Sequence, residues 1–320
     1  MRVLIIGGGG FIGQKIAKAL VASGTLKGQP ITHLALADLA APAPMEAPFE
    51  VTTHAVDIAE AGQVSALFTV RPDVIFHLAA IVSGQAEAEF DLGMRVNLFG
   101  SINVLEAARA LGTKPVVVFT SSVAVYGGEI PETIEDWTTQ NPQTSYGAQK
   151  AAVELLVTDY SRKGFIDGRA PRLPTITVRP GKANAAASSF MSSIFREPMQ
   201  GEEAVCPVGP DYALWYCSPR KVTENLIRCA EIEEDAFGQN RAFALPGRTA
   251  TIGEMVEAMR KVAGDEPVSR IRWEEDPVIH AIVTRWRAHL NPQKALALGL
   301  TADESFEDNV RYFLEDDIRR

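Results

Sequence analysis

Tyr146 and Lys150 stand four residues apart, so a helix through them puts a phenol and an ammonium on one face. An unperturbed phenol, with a pKa of about 10, is a poor base at neutral pH. A nearby ammonium favours the phenolate, and bringing the phenol to near 7 takes roughly 4 kcal/mol of differential stabilisation. The pair is therefore a candidate proton acceptor. A second candidate group lies upstream, where the apolar run before Phe119-Thr120-Ser121-Ser122-Val123-Ala124-Val125-Tyr126-Gly127 ends in two serines. A hydroxyl at the carboxyl end of a parallel strand can donate to a developing alkoxide or carbonyl oxygen. Serines at strand ends are also ordinary turn formers, and a Tyr/Lys pair arises easily by chance, so the two features gain weight from each other.

A third constellation opens the chain. Val3-Leu4-Ile5-Ile6 runs directly into Gly7-Gly8-Gly9-Gly10-Phe11-Ile12-Gly13, with an apolar helix pattern behind it. A turn that lays backbone N–H groups against a pyrophosphate leaves no room for β-carbons, and the helix N-terminus favours the anion. Two residues separate Gly7 from Gly10 and Gly10 from Gly13, unlike the one-then-two spacing of the usual dinucleotide fingerprint. Gly7, Gly10, Phe11, Ile12 and Gly13 are the expected phosphate cradle. Asp38 closes the second apolar run, Leu34-Ala35-Leu36-Ala37. There a carboxylate can accept both hydroxyls of an adenine ribose and would repel a 2′-phosphate. Leu39 and Ala40 follow, not an arginine, which points to NAD rather than NADP. Asp57-Ile58, at the end of the third run, would sit beside the adenine, although Asp57 equally suits a helix N-cap.

These residues need a scaffold that brings strand ends together. Strands are expected at Arg2–Ile6, Thr32–Ala37, Phe49–Val56, Val74–Leu78, Pro115–Thr120 and Leu173–Val178. Helices are expected near Phe11–Ser23, Ala59–Phe68, Glu87–Leu111 and Ser145–Lys163. Short apolar strands alternating with helices predict an α/β fold, a doubly wound parallel (Rossmann) sheet covered on both faces. After Pro180 the pattern turns irregular. Helices at Ser189–Arg196, Pro219–Ile232, Ile252–Val262 and Ser305–Leu314, with strands at Ala204–Pro207 and Arg241–Leu245, predict a smaller α+β unit. The expected organisation is a cofactor-binding domain over residues 1–180 and a substrate cap over 181–320, with some cap segments returning to the main sheet.

Composition narrows the function class. The 320 residues are 46% hydrophobic and 22% charged, as in an ordinary globular protein. A net charge of −9 argues against nucleic-acid or anionic-membrane partners. The chain has no uncharged apolar run long enough to span a bilayer and no leader pattern before Val3. Cys206, Cys217 and Cys229 form no CxxC pair, which suits a reducing cytoplasm. His33, His54, His77, His280 and His289 are scattered without ligand spacing, so no metal site is expected.

The set GGGGFIG, Asp38, Asp57-Ile58, His77-Leu78-Ala79-Ala80, Asn97-Leu98-Phe99-Gly100, Ser-Ser…Val-Tyr-Gly, Tyr146…Lys150 and Val178-Arg179-Pro180-Gly181 resembles the extended short-chain dehydrogenases/reductases. The motifs occur in order and cover essentially the whole chain. The resemblance implies an NAD-dependent enzyme in which Ser122 and Tyr146 are catalytic and Lys150 binds the cofactor ribose. It implies that Ser121 and Asn97 lie near the nicotinamide, that Leu78, Ala79 and Ala80 line the cofactor groove, and that Pro180 flanks the nicotinamide. It also implies a homodimer pairing through the helices that bear Asn97 and Tyr146.

Within that family, nucleotide-sugar enzymes generally carry an Arg-Asp-(aromatic)-(Val/Ile)-His-Val-type segment. Here the corresponding stretch reads Ala213-Leu214-Trp215-Tyr216-Cys217-Ser218-Pro219-Arg220. The segment after Gly181, with Phe195-Arg196-Glu197-Pro198 and Ser218-Pro219-Arg220, resembles the branch that oxidises a short aldonate, D-erythronate, at C2 with NAD. The implied substrate is a small-molecule hydroxy acid. Asn184 and Ser188 are then candidates for its hydroxyls, and Arg196 and Arg220 for its carboxylate, which calls for a cation. Three alternatives stay open: a related L-threonine or small hydroxy-acid dehydrogenase, a nucleotide-sugar 4-epimerase, and a non-catalytic NAD-sensing regulator.

Overall fold

The computed structural model describes residues 1–182, 187–283 and 286–318. The chain forms two compact units that interleave in sequence. The first comprises Met1–Val125, Thr144–Arg172 and Thr223–Phe243, the second Tyr126–Gln143, Leu173–Val222 and Ala244–Arg320.

The first unit is built on a parallel sheet of β1 (Arg2–Ile6), β2 (His33–Asp38), β3 (Glu50–Ala55), β4 (Val74–His77), β5 (Val116–Phe119) and β6 (Asp167–Leu173). Its order is β3-β2-β1-β4-β5-β6, followed by a strand at Ala242–Ala244, and the short strand Ser121–Ser122 also pairs with β6. Ile6 lies in register with Ala37 on one side and His77 on the other. The order therefore reverses at β1, and the crevice outside its carboxyl end is where open α/β sheets bind ligands. The apolar runs explain the burial: Leu4, Ile5, Leu34, Leu36, Ile75, Phe76, Val117 and Val118 are all fully buried.

Helix α1 (Phe11–Ser23) buries Ile12, Ile16, Ala17 and Leu20 and stops at Gly24, whose φ of 66° is left-handed. Val64 and Leu67 of α2 (Ala61–Leu67), Val104, Leu105 and Ala108 of α3 (Ser101–Ala110), and Val153 and Val157 of α4 (Ser145–Arg162) join one core cluster with Leu4, Ile6, Val117 and Phe119. The helix expected over Glu87–Leu111 is continuous from Phe90 to Ala110, passing through a π-helical stretch at Met94–Gly100 into α3, and only Glu89 separates it from the short helix Ser83–Ala88. Close packing at two glycines marks the ends of the π-helical stretch. A Cβ at Gly93 would meet Gln149 Nε2 at 2.7 Å, and one at Gly100 would meet Ile58 Cγ1 at 2.8 Å.

The sixth strand departs from the expectation. It is Asp167–Leu173, not Leu173–Val178. Two arginines disguise it. Arg169 is fully buried, and its guanidinium donates to the carbonyls of Asp167, Cys229 and Ile232 while lying over the Phe237 ring. Arg172 pairs with Glu154. A strand with internally satisfied cations lacks the apolar run by which strands are read. Of the expected segment, Thr175–Ile176 pairs instead with Ala213–Cys217.

The second unit carries that pairing in a three-stranded sheet completed by Arg248–Thr251. Helices Phe190–Met199, Ile252–Ala263 and Phe306–Phe313 contribute Met191, Phe195, Met255 and Phe306 to its core, together with Tyr216 from the sheet. Among the described residues, no helix is long and apolar enough to cross a membrane.

Candidate active site

At the end of β1 the chain turns through Gly7, whose φ is +89°. Gly7 and Gly8 both donate their N–H to Ala37 O, at 2.8 and 2.9 Å. A Cβ at Gly7 would lie 2.7 Å from Ala79 N, and one at Gly13 would lie 2.3 Å from Gly7 O. The first turn of α1 therefore rests directly on the glycine loop. Gly10 caps that helix without a side chain, and the first helical bond runs from Gln14 N to Gly10 O. The N–H groups of Phe11, Ile12 and Gly13 are thus the donors a helix leaves without intrahelical partners. Asp38 reaches the same loop: its Oδ2 accepts from Gly9 N at 2.9 Å and its Oδ1 from Leu39 N at 2.8 Å. Gly9 is the residue that sequence spacing missed. A Cβ there would lie 3.0 Å from Asp38 Oδ2, so glycine is what lets the carboxylate close on the turn.

The neighbouring loops are pinned to this frame. Leu78 and Ala79 both donate to Ile6 O, at 2.8 and 3.1 Å, and Ala80 follows, partly buried. Asn97 is buried, and its amide is used as a brace: Oδ1 accepts from Ile81 N at 2.9 Å, while Nδ2 donates to Ile81 O at 3.2 Å and Gln149 Oε1 at 2.9 Å. It therefore shapes the loop after β4 through its backbone. Asp57 closes a tight turn, Oδ1 accepting from Ala59 N at 2.9 Å. The N-cap position of α2 falls to Glu60 instead. Ile58 is buried, and Asn103 Nδ2 donates to its carbonyl at 2.9 Å.

The polar centre lies at the ends of β5 and α4. Thr144 caps α4 by accepting from Gly147 N at 3.1 Å, which sets Tyr146 and Lys150 in its first turns. The Ser122 hydroxyl hydrogen-bonds the Tyr146 phenol and also accepts from Ala124 N at 3.1 Å. Lys150 Nζ donates to Thr120 O at 2.8 Å and lies 4.6 Å from the Phe119 ring centroid and 5.6 Å from that of Tyr146. Burial pushes Tyr146 up to about 12, opposed by the Ser122 hydrogen bond. Burial also pulls Lys150 down to about 7, opposed by the charge of Glu154. His77, at the end of β4, is held at about 3 by burial and by Lys150, so it is neutral. Its Nε2 hydrogen-bonds Ser101 Oγ at 2.9 Å. Ser121 is buried and donates to Glu154 Oε1.

The structure gathers Ser121, Ser122, Tyr146 and Lys150, but it engages the two carboxylate candidates elsewhere. Arg196 is buried, donating to Arg179 O at 3.0 Å and Ser193 Oγ at 3.1 Å and pairing with Glu197 at 2.5 Å. Arg220 is held by Asp316 at 2.6 Å and Glu315 at 2.9 Å and lies over the Tyr312 ring. Arg179 differs. Its charged neighbour is Arg196, and desolvation together with that like charge holds its pKa below the ordinary arginine value. Pro180 follows it in the second unit, Ser188 lies in the short 3-10 turn Ala187–Ser189, and Asn184 lies outside the described residues. Among the described residues no group of three or more His, Cys, Asp or Glu side chains could hold a metal.

Residues 3–211 match the NAD dependent epimerase/dehydratase family. The chain is 49% identical over 321 residues to D-erythronate dehydrogenase of Cupriavidus necator, covering 99% of this chain and 98% of that enzyme. It is 43% identical to D-erythronate dehydrogenase of Haemophilus influenzae over 319 residues, covering 99% and 100%. The crystal structure of a nucleoside-diphosphate-sugar epimerase from Agrobacterium tumefaciens superposes with a TM-score of 0.95 at 46% identity, covering 99% of this chain and 94% of that one. The chain belongs to the NAD dependent epimerase/dehydratase family, the extended short-chain dehydrogenases/reductases whose motifs it carries. The site fits the family's dinucleotide. A Cβ would fill the loop at Gly7 or Gly13, the α1 N-terminus has no side-chain cap, and the carboxylate at the end of β2 suits ribose hydroxyls.

Proposed function

We propose that this chain is an NAD-dependent D-erythronate dehydrogenase, oxidising the C2 hydroxyl to give a 2-oxo-tetronate. Identity of 49% and 43% to two enzymes of that name, over essentially whole chains, carries the choice of substrate. The Ser122–Tyr146–Lys150 arrangement supports the chemistry.

Ser122 and Tyr146 hold the C2 hydroxyl between their oxygens, and the Tyr146 phenolate takes its proton as C2 gives up hydride. Bound NAD supplies the hydride acceptor. Ser122 steadies the substrate oxygen as its charge rises and falls. Lys150, fixed by Thr120 O with its ammonium 5.6 Å from the Tyr146 ring centroid, would favour the phenolate when charged. Gly7, Gly10, Phe11, Ile12 and Gly13 would hold the pyrophosphate, Asp38 the adenine ribose, and Asp57 and Ile58 would border the adenine. Leu78, Ala79, Ala80, Asn97, Ser121 and Pro180 would shape the remainder of the cofactor groove, Asn97 through the loop that it braces.

The protein works in this reading as a cytoplasmic homodimer. Its cysteines Cys206, Cys217 and Cys229 are free and buried. The helical segments around Asn97 and Tyr146 expose Phe90, Phe99 and Leu155.

The name of the Agrobacterium structure favours a second reading, a nucleotide-sugar epimerase. NADH formation with D-erythronate, L-erythronate, both threonates and L-threonine, together with a separate assay of UDP-glucose for conversion to UDP-galactose, separates the two. Turnover confined to D-erythronate supports the proposal. Silence on every acid together with UDP-glucose epimerisation removes it.

A further inference from the structure

Glu154 stands one helical turn beyond Lys150 on α4, with 1% of its surface exposed. A carboxylate taken that far from water is costly unless its oxygens are satisfied. Arg172 on β6 meets both: Nε lies 3.0 Å from Oε1 and 3.2 Å from Oε2, and Nη2 lies 2.7 Å from Oε2. Ser121 Oγ adds a further hydrogen bond to Oε1. Ser121 and Ser122 form the short strand that pairs with β6, so this cluster joins α4, β6 and the strand end next to the phenol.

The groups facing Lys150 are few. Its own helix offers Tyr146 and Glu154, β4 offers the neutral His77, and the end of β5 offers the Phe119 ring and the Thr120 carbonyl. Arg172 stands behind Glu154 as a second cation. Glu154 is the carboxylate whose field acts on the ammonium.

Building on the catalytic reading of Tyr146 and Lys150, we propose that Glu154 is a positioning residue for the reaction. Clamped by Arg172 and Ser121, it anchors the strand end that carries Ser122 and gives Lys150 the counter-charge that keeps it an ammonium beneath the phenol.

The test follows two quantities against pH in the full-length protein: kcat/KM for D-erythronate oxidation, and NADH affinity from nicotinamide fluorescence. Lys150→Met is the control for the underlying reading. Loss of turnover in that variant, with the high-pH fall in NADH affinity abolished, establishes the lysine's part. In Glu154→Gln the high-pH falls of both quantities should move to lower pH by about one unit or more, since a lost neighbouring charge shifts an amine by that order. Glu154→Asp, which keeps the charge, should return both falls most of the way to their wild-type positions. A lowered kcat with both falls unmoved would overturn the proposal and leave Glu154 a purely structural residue. Should Glu154→Gln fail to fold with Arg172 unpaired, the double variant Glu154→Gln/Arg172→Met removes both buried charges. Its falls should still move to lower pH, by less than in Glu154→Gln because a cation leaves together with the nearer carboxylate, and unmoved falls there would likewise overturn the proposal. Wild-type turnover in Lys150→Met would take down the catalytic reading and this proposal together. Inactive Lys150→Met with unmoved Glu154→Gln profiles would take down only the role of Glu154.

Discussion

Tyr146 and Lys150 are both driven by burial toward their neutral forms, the phenol up to about 12 and the amine down to about 7. Desolvation outweighs the Ser122 hydrogen bond on the phenol and the Glu154 charge on the amine. In the proposed mechanism the Lys150 ammonium and the cationic nicotinamide of bound NAD would bring the phenolate within reach. Tyr146→Phe removes the proton acceptor while keeping the ring. It should lower kcat by about 10²- to 10⁴-fold and leave NADH affinity near wild type, as steady-state kinetics and fluorescence titration would show. Lys150 also links stability to pH. Its folded value lies below the unfolded one, so between about 7 and 10.5 the unfolded chain binds more protons. The burial penalty is therefore complete below pH 7 and is relieved as pH rises through that window. Measured by urea unfolding, Lys150→Met should gain most relative to wild type at low pH, and that relative gain should shrink by up to about 1.4 kcal/mol per pH unit across the window. A difference independent of pH would show that the amine is not desolvated in the native state.

At the level of elements, α1 rests directly on the glycine turn proposed to hold the cofactor. Gly13→Ala forces a methyl to 2.3 Å from Gly7 O, backbone against backbone, whereas Gly10→Ala leaves 3.4 Å to its nearest neighbour. Gly13→Ala should cost about 2 kcal/mol or more in urea unfolding, as overpacking does. Gly10→Ala should stay within about 1 kcal/mol of wild type yet, if the proposed cradle holds the pyrophosphate, bind NADH more weakly because of the added methyl. Most of this frame could be read from the chain. Val3–Ile6, Val74–Phe76 and Val116–Phe119 are apolar runs, and the i, i+4 spacing of Tyr146 and Lys150 already implies a shared helix face. The buried-cation strand Asp167–Leu173 was hidden, because its arginines find their partners in Glu154 and in carbonyls more than fifty residues away in sequence. Such satisfaction is a tertiary fact with no local periodicity. For the same reason the brace role of Asn97 and the commitment of Arg196 and Arg220 to nearby carboxylates could not be read from residue type.

For the molecule as a whole, the chain passes repeatedly between its two units, so Ser122 and Tyr146 belong to one unit although Tyr126–Gln143, between them in sequence, belongs to the other. On the helical segments of the first unit, Phe99 is 53% and Leu155 67% exposed. If these faces pair two copies, sedimentation should give twice the chain mass, and Phe99→Glu with Leu155→Glu should give a monomer whose circular dichroism is unchanged. A wild-type monomer would remove that reading. The central claim is a direct hydride transfer from C2 of D-erythronate to NAD with Tyr146 as base. The most direct measurement is turnover of D-erythronate deuterated at C2, with mass spectrometry of the reduced cofactor. Direct transfer puts the deuterium in the reduced nicotinamide and slows turnover with the heavier isotope. Unlabelled reduced cofactor, or none at all, would contradict it.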